Sequence, residues 1–189
     1  MRENTNDALG LKRGTVALSP YNSSWPRLFA EERDRLAPIL VDLVFPYEHV
    51  GSTAVPGLTA KPIIDFMGGV GSIDEARGLI PLIEPLGYEY RQNGDKPDRL
   101  LLVKGPTTCR THHFSLVVRD SVEWCNYILF RDKLSTNPSL AEEYAELKES
   151  LARQFADDRP TYTARKAAFI TKVLRPDRHA DSNSQGGIA

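Results

Sequence analysis

The chain has 189 residues, of which 41% are hydrophobic and 26% are charged, a composition typical of a folded protein with a hydrophobic core. Its formal net charge of −1 excludes a chain-wide electrostatic affinity for nucleic acid or for an anionic membrane. No apolar run is long enough to span a membrane, the polar start does not resemble a signal peptide, and two cysteines without CxxC spacing favour a reduced, cytoplasmic protein.

The first part of the chain predicts a flexible start followed by a helix. Residues 1–14 are polar and are predicted to be flexible. Ser24 and Pro26 are typical of the cap and first turn of a helix, and apolar residues then recur at helical spacing as far as Val44. Pro38 lies inside this stretch and is expected to kink or restart the helix.

Two short strands on either side of a small-residue turn come next. Tyr47–Val50 is predicted to lead into the turn, and the mostly apolar Pro62–Val70 is predicted to leave it. Ser72 and Glu75 have the spacing of a capping box, and Gly87 is typical of the end of the helix that follows.

The second half of the chain predicts three strands and then three helices. The strands, separated by polar turns, are Tyr88–Gln92, Arg99–Lys104 and Thr111–Val118. The helices, with apolar stripes at helical spacing, are Val122–Ser135, Pro138–Ala156 and Thr161–Leu174. Residues 176–189 have the composition of a disordered tail. The sequence therefore predicts one α+β domain over residues 15–175, with a central mixed sheet, flanking helices and a C-terminal helical segment.

The segment from Glu48 to Val70 combines the residue types that a phosphate or nucleotide pocket needs. A turn of small residues can present backbone N–H groups and hydroxyls to an anion, and it consists of Gly51, Ser52 and Thr53. Lys61 supplies positive charge beside this turn, with a solvated surface lysine as the alternative.

Asp65 is the candidate catalytic and metal-binding residue of this segment. Because it follows two isoleucines and precedes further apolar residues, its carboxylate has to be paired or coordinated. A carboxylate is a suitable ligand for Mg²⁺. Two interpretations stay open, a metal or substrate site and an ion pair with Lys61 or Arg110.

The strand Thr111–Val118 alternates between two faces. His112 shares one face with three large apolar side chains and is predicted to be a core histidine. His113 and Ser115 occupy the other face and are predicted to point into a cleft beside Asp65. His113 is thus a candidate catalytic residue, or a phosphate or metal ligand, with a structural role as the alternative.

Two arginines flank the same strands and are candidates to complete an anion pocket. Arg99 is the first residue of one predicted strand, and Arg110 precedes the strand that carries the histidines. Single arginines near strand ends are more often solvated, which is the alternative for both.

Four strings of residues resemble the GrpB family, namely HVGSTAVPGLTAKPIID, THH, FRDKL and YTARKAAFI. The resemblance runs from roughly Val16 to Leu174 and implies a nucleotidyltransferase-like fold. It also matches Lys166 to a family position on the last helix, where the side chain either reaches the cleft or is solvated. At position 115 the family is expected to carry histidine, so Ser115 weakens a role built on paired histidines. Related domains joined to dephospho-CoA kinase suggest, by association alone, a link to coenzyme A metabolism.

The nucleotidyltransferase pattern implied by this resemblance is only partly matched. That pattern joins a Gly-Ser turn to carboxylates on the next strand and on a later one, which together hold two metal ions. Gly51 and Ser52 match the turn, and Asp65 matches one acid. Ile63 and Met67 stand at the two places that a partner acid would occupy.

The sequence therefore supports two functional hypotheses. The first is nucleotidyl transfer assisted by one Mg²⁺ on Asp65, with His113 as a second catalytic residue. The second is a non-catalytic module that binds a nucleotide or another phosphorylated small molecule, and the incomplete set of carboxylates favours it. In both, the partner is a small molecule rather than nucleic acid or a membrane. The phosphate-binding residues would be Gly51, Ser52, Thr53, Lys61, Arg99, Arg110 and Lys166.

Overall fold

The computed structural model describes residues 9–41 and 43–175, which form five strands and five α-helices. The strands are β1 (Tyr47–Val50), β2 (Ile64–Val70), β3 (Tyr88–Tyr90), β4 (Arg99–Lys104) and β5 (His112–Val118). The helices are α1 (Trp25–Leu36), α2 (Ile73–Ile83), α3 (Val122–Thr136), α4 (Pro138–Gln154) and α5 (Arg159–Leu174). The predicted α+β class is confirmed, with helices before, between and after the strands.

The strands form one mixed sheet in the order β1-β2-β5-β4-β3. The central strands β2 and β5 are parallel, and the other neighbours are antiparallel. In the register of β2 and β5, Asp65 lies opposite His113. On the other side of β2, Asp65 lies opposite Val50, the last residue before the small-residue turn. The sheet therefore brings the two halves of the predicted site together.

One face of the sheet is buried under α1 and α2. Phe66 and Phe114 stack there with their ring centroids 4.5 Å apart, and neither side chain is more than 1% exposed. Leu36 of α1 and Ile83 of α2 belong to the same cluster and are fully buried. His112 points to this face and is 8% exposed, which confirms its interpretation as a core histidine.

The opposite face is packed by the C-terminal helices. Trp124 of α3 contacts a small apolar cluster that includes Met67 and Val117 of the sheet. Helices α3, α4 and α5 pack on one another through a further cluster, in which the rings of Tyr144 and Phe169 stack at 5.0 Å. These helices therefore lie on the side of the sheet from which Asp65 and His113 project.

The hydrogen bonds at the first residues of two helices differ in detail from the predicted caps. Ser72 caps α2 as predicted, since its Oγ accepts the N–H of Glu75 at 3.1 Å. The Glu75 carboxylate accepts the N–H of Gly71, so the reciprocal bond of a capping box is shifted by one residue. At α1, Ser24 makes no side-chain cap bond, and its hydroxyl donates to Asn22 instead.

Part of the predicted flexible N-terminus is attached to the loops that precede β2 and β5. The N–H of Gly10 donates to the carbonyl of Pro62 at 2.8 Å, and Leu11 exchanges two backbone hydrogen bonds with Arg110. The N–H of Arg13 donates to Thr107 at 2.8 Å. Residues 1–8 of the predicted flexible segment and the predicted tail 176–189 lie outside the described residues.

Within the described residues, no helix combines the length and the apolar character that crossing a bilayer requires. Cys109 and Cys125 are both free thiols.

Candidate functional site

A cleft of about 350 Å³ opens between the sheet and the C-terminal helices. Its walls come from the turn after β1, from β2, β4 and β5, and from α4 and α5. Eight of the nine predicted site residues line it, namely Gly51, Ser52, Thr53, Lys61, Asp65, Arg99, His113 and Lys166. The ninth, Arg110, lies elsewhere.

Gly51 permits the turn to pass directly over Asp65. Its φ of +71° and ψ of −167° lie in a region that is essentially restricted to glycine. A Cβ atom at this position would stand 3.0 Å from Asp65 Oδ2. The turn is further fixed by Thr53, which is 1% exposed and whose hydroxyl is hydrogen-bonded to His49 Nε2 at 3.0 Å. His49 in turn stacks on Phe29 of α1.

Asp65 pairs with His113 rather than with either cation considered from the sequence. Asp65 Oδ1 lies 2.8 Å from His113 Nδ1, and the two side chains are 42% and 13% exposed. Burial opposes ionisation, but the hydrogen bond from His113 and the charges of Lys61 and Lys166 hold the pKa of Asp65 below its ordinary value. Because an ionised carboxylate can only accept a hydrogen bond, His113 Nδ1 is the donor in this pair and Nε2 is the ring nitrogen that does not bond to Asp65.

Two lysines share one aromatic ring on the opposite wall of the cleft. The ammonium groups of Lys166 and Lys61 lie 4.6 Å and 5.6 Å from the ring centroid of Tyr162, which is 1% exposed. Burial and the charges of Lys166 and Arg159 lower the pKa of Lys61 to about 8. Burial also lowers the pKa of Lys166. Among the described residues, the lining of the cleft therefore contains more cationic side chains than its carboxylate can neutralise.

Lys148 of α4 is a third lysine of the cleft, and it was not predicted. It is 1% exposed, and its ammonium donates to Ser52 Oγ at 3.2 Å and to the carbonyl of Thr59. The ring centroid of Tyr144 lies 4.8 Å away. Burial and the charge of Lys166 lower the pKa of Lys148 to about 7. Lys148 thus links the helical segment to the small-residue turn.

Arg99 lines the cleft but is already engaged by its neighbours. Its guanidinium donates to Tyr127 Oη at 2.5 Å and to the carbonyl of Gly94, and it lies 3.9 Å from the Glu123 carboxylate. Its Nε is buried without a hydrogen-bond partner among the described residues. Arg99 therefore lines the cleft, but most of the N–H donors of its guanidinium are already hydrogen-bonded to neighbouring residues.

Arg110 lines a depression beside the cleft and not the cleft itself, and its role in phosphate binding stays a prediction. Its guanidinium donates to the carbonyl of Gly105 and to the carboxylate of Glu89. Arg110 as a whole is 5% exposed. Glu89 belongs to β3 and Gly105 follows β4, so the guanidinium is engaged at that side of the sheet, whereas Asp65 pairs with His113. The depression that Arg110 lines measures about 220 Å³.

Positive charge dominates the cleft. Among the described residues that line it, one carboxylate, Asp65, faces five cations, which are Lys61, Arg99, Lys148, Arg159 and Lys166. The net charge of the whole chain is −1, so this excess is local. A concave site with charge of one sign concentrates ligands of the opposite sign.

The carboxylate of Asp65 has no partner acid at the positions that a two-metal centre would require. Ile63 and Met67, at the two positions of a partner acid, are 4% and 0% exposed and belong to the apolar interior. Within residues 9–41 and 43–175, no group of three or more His, Cys, Asp or Glu side chains is arranged to hold a metal ion. Mg²⁺ on Asp65 alone stays a prediction.

Known proteins related to this chain share most of its length. Residues 15–176 match the family profile described as GrpB protein. A UPF0157 protein of Pseudomonas aeruginosa is 36% identical over 162 residues, which make up 84% of this chain and 66% of that protein. The glutamate-rich protein GrpB of Alkalihalophilus pseudofirmus is 31% identical over 170 residues, which make up 88% of this chain and 98% of that protein.

Relatives differ in how much of their own length this chain covers. The UPF0157 protein YqkA of Bacillus subtilis is 33% identical over 155 residues, 82% of this chain but 45% of that protein. This chain therefore spans less than two thirds of the Pseudomonas and Bacillus relatives. Among solved structures, the conserved protein GrpB of Enterococcus faecalis aligns with a TM-score of 0.76 and 37% identity, covering 83% of this chain and 94% of that one.

Gly51→Ala is expected to destabilise the protein more than Gly57→Ala. Both glycines have positive φ, +71° and +78°, where alanine costs about 1–2 kcal/mol of unfolding free energy. Only at Gly51 does the added Cβ meet another residue, at 3.0 Å from Asp65 Oδ2, whereas nothing lies within 4 Å at Gly57. Urea unfolding of both variants measures the difference. Equal losses would contradict the tight approach of the turn to Asp65.

Lys148→Met is expected to raise the free energy of unfolding at pH 6, and less so at pH 9. The pKa of Lys148 is about 7 in the fold, against 10.5 ordinarily, so below about pH 7 the folded protein carries the full cost of a buried ammonium. That cost decreases as pH rises from 7 towards 10.5, and methionine does not carry it. Urea unfolding at both pH values measures the change.

The matched control for this prediction is Lys172→Met, at a lysine whose side chain is 66% exposed, which is expected to show no such pH dependence. A Lys148→Met variant that is less stable than the wild type at pH 6 would mean that the bonds to Ser52 and Thr59 outweigh the cost of burial.

Proposed function

The chain belongs to the GrpB family, as its sequence predicts, and from this premise we propose that it binds a phosphorylated small molecule in the cleft. The observation that carries the proposal is that five basic side chains and one carboxylate line a concave site. Two free cysteines support the accompanying proposal of a cytoplasmic location.

Two lysines of the cleft have pKa values lowered by burial and by neighbouring cations, which favours an anion as their ligand. Lys61 and Lys148 have pKa values of about 8 and 7, because burial and neighbouring positive charges disfavour their protonation. Cations are seldom buried without a counter-charge, since an unpaired buried charge is destabilising. A phosphate group supplies the negative charge and several strong acceptor oxygens at once. Its binding would relieve the repulsion and return protons to both lysines.

The size of the cleft favours a small molecule over a polymer. About 350 Å³ falls within the range of cavities that hold metabolites and cofactors, roughly 300–1,000 Å³. The lining is also mixed, since Tyr127, Tyr162 and Leu101 offer apolar surface next to the cations. A phosphate attached to a sugar or nucleoside matches this combination of charged and apolar walls.

The wall residues have different proposed roles. Lys61 and Lys166, whose ammonium groups lie over the Tyr162 ring, would contact the phosphate directly. Lys148 is engaged by Ser52 and Thr59, so it would hold the turn in place and contribute charge from behind it. Gly51 and Ser52 would present the edge of the turn to the ligand.

Lys166→Gln is expected to weaken binding of a phosphorylated ligand about tenfold or more, because it removes one charge-assisted contact. The measurement is the ligand-induced rise in melting temperature over a panel of nucleotides, sugar phosphates and coenzyme A derivatives, each paired with its dephosphorylated counterpart. Lys172→Gln is the matched control, because Lys172 lies on the same helix, 66% exposed and paired with Glu143.

The paired ligands and the two lysine variants distinguish the possible outcomes. Ligands with a phosphate are expected to raise the melting temperature of the wild type and of the Lys172 variant, and their dephosphorylated counterparts are not. If no phosphorylated compound stabilises the wild type, the proposal is wrong. If both lysine variants lose binding equally, the site does not lie on the cleft face of α5.

Nucleotidyl transfer is a second candidate, favoured by the position of Asp65. Its carboxylate lies against Gly51 at the start of the turn and carries His113 as a hydrogen-bond partner. One Mg²⁺ on Asp65 would supply the charge that neutralises a triphosphate, and His113 Nε2 would be available to accept a proton from an attacking hydroxyl.

Metal dependence distinguishes transfer from binding alone. The binding proposal predicts that EDTA leaves ligand-induced stabilisation unchanged and that no diphosphate is released from nucleoside triphosphates. Mg²⁺- or Mn²⁺-dependent release of diphosphate that is lost in Asp65→Asn, but kept in the exposed control Asp120→Asn, would establish the transferase instead.

A further inference from the structure

A second depression adjoins the cleft and continues its positive surface. It measures about 220 Å³ and shares three wall residues with the cleft, Leu101, His113 and Arg159. Its other described lining residues are Arg13, Arg91, Asn93, Val103 and Arg110. The two hollows therefore meet along one edge.

Four arginines line the depression. Two of them share one carboxylate, and the other two have no ion-pair partner among the described residues. Arg91 and Arg110 share the single carboxylate of Glu89, at 2.6 Å for Arg91 and in a short contact for Arg110. Arg13 and Arg159 donate no side-chain hydrogen bond to any described residue, and neither forms an ion pair within this part of the chain. Their guanidinium groups are thus available to a ligand.

The backbone holds Arg13 at this place. Its N–H donates to the carbonyl of Thr107 at 2.8 Å, and two residues earlier Leu11 pairs with the backbone of Arg110. The segment is consequently attached beside the strand that carries His113. An arginine on an anchored backbone loses less conformational freedom on binding than one on a free terminus.

We propose that the ligand carries two separate anionic groups, one bound in the cleft and the other in the depression. This inference rests on the proposed function, because the first group is the phosphate of the cleft. The uncharged middle of the ligand would cross the shared edge, where Leu101 offers apolar contact and His113 a ring face. Arg159 belongs to both walls and would bind either group through its forked donors.

The chemical class that fits is a bisphosphorylated small molecule with its two phosphates on different atoms of the scaffold. A diphosphate chain would place its charges together and would leave the arginines of the depression unused. A monophosphate would satisfy the lysines of the cleft alone. Affinity therefore depends on the number and the separation of the phosphates.

The test compares matched pairs of probes on the full chain by isothermal titration calorimetry. The pairs are fructose 6-phosphate with fructose 1,6-bisphosphate, and adenosine 5′-monophosphate with adenosine 3′,5′-bisphosphate. For at least one pair the bisphosphate is expected to bind about tenfold tighter or more, because it gains charge-assisted bonds to arginine. The double variant Arg13→Gln/Arg91→Gln is expected to abolish this advantage and to leave monophosphate affinity unchanged.

The control and the outcomes keep this inference separate from the proposed function. Lys12→Gln removes one positive charge next to Arg13 but outside the depression, and it is expected to preserve the advantage of the bisphosphate. Phosphate binding without any preference for a bisphosphate, or a preference that the double variant retains, overturns the two-anion inference and leaves cleft binding intact. If none of the four probes binds, the two-anion inference is overturned for these scaffolds, and the thermal-shift panel of phosphorylated compounds decides the proposed function by itself. Arg13→Gln alone, at an exposed residue, repeats the comparison if the double variant does not fold.

Discussion

The parallel pairing of β2 with β5 is the constraint on which the cleft depends. It sets Asp65 opposite His113, with Nδ1 and Oδ1 2.8 Å apart, although 48 positions separate the two residues. The pair in turn limits what can stand above it, since only a glycine allows the following turn to approach the Asp65 carboxylate so closely. A shift of one residue in either strand would turn its side chain into the apolar core and leave the other on the cleft face, so the pair would be lost.

The cleft concentrates interactions that weaken the fold. Lys148 is buried on a helix whose inward face is otherwise apolar, and Lys61 and Lys166 lie near the same ring. Lowered pKa values for all three show that the folded state disfavours their charged forms. Proteins commonly accept such local instability where a ligand later compensates for it. The same three residues would be an unexplained cost in a domain that only had to fold.

Local patterns in the sequence were sufficient for residues whose role depends on their neighbours in the chain. Gly51 precedes hydroxyl residues, Asp65 interrupts an apolar strand, and the two-residue alternation of β5 placed His113 on the cleft face. Lys148 arrives from a distant helix through tertiary packing, so its proximity to the turn could not be predicted. One signal was present nonetheless, because it stands four positions after Tyr144 on the apolar stripe of α4. Arg110 lines the neighbouring depression instead of the cleft, because a strand end does not reveal which neighbouring carboxylate will attract a side chain.

The attachment of residues 10–13 has a consequence for the charge of the depression. The family profile matches residues 15–176, so Arg13 lies before the matched region, whereas the other seven lining residues of the depression lie within it. The backbone bonds of Leu11 and Arg13 hold this one side chain against the rest of the wall. Replacement of residue 13 alone would therefore change the charge of the depression without any alteration of the sheet or of the cleft.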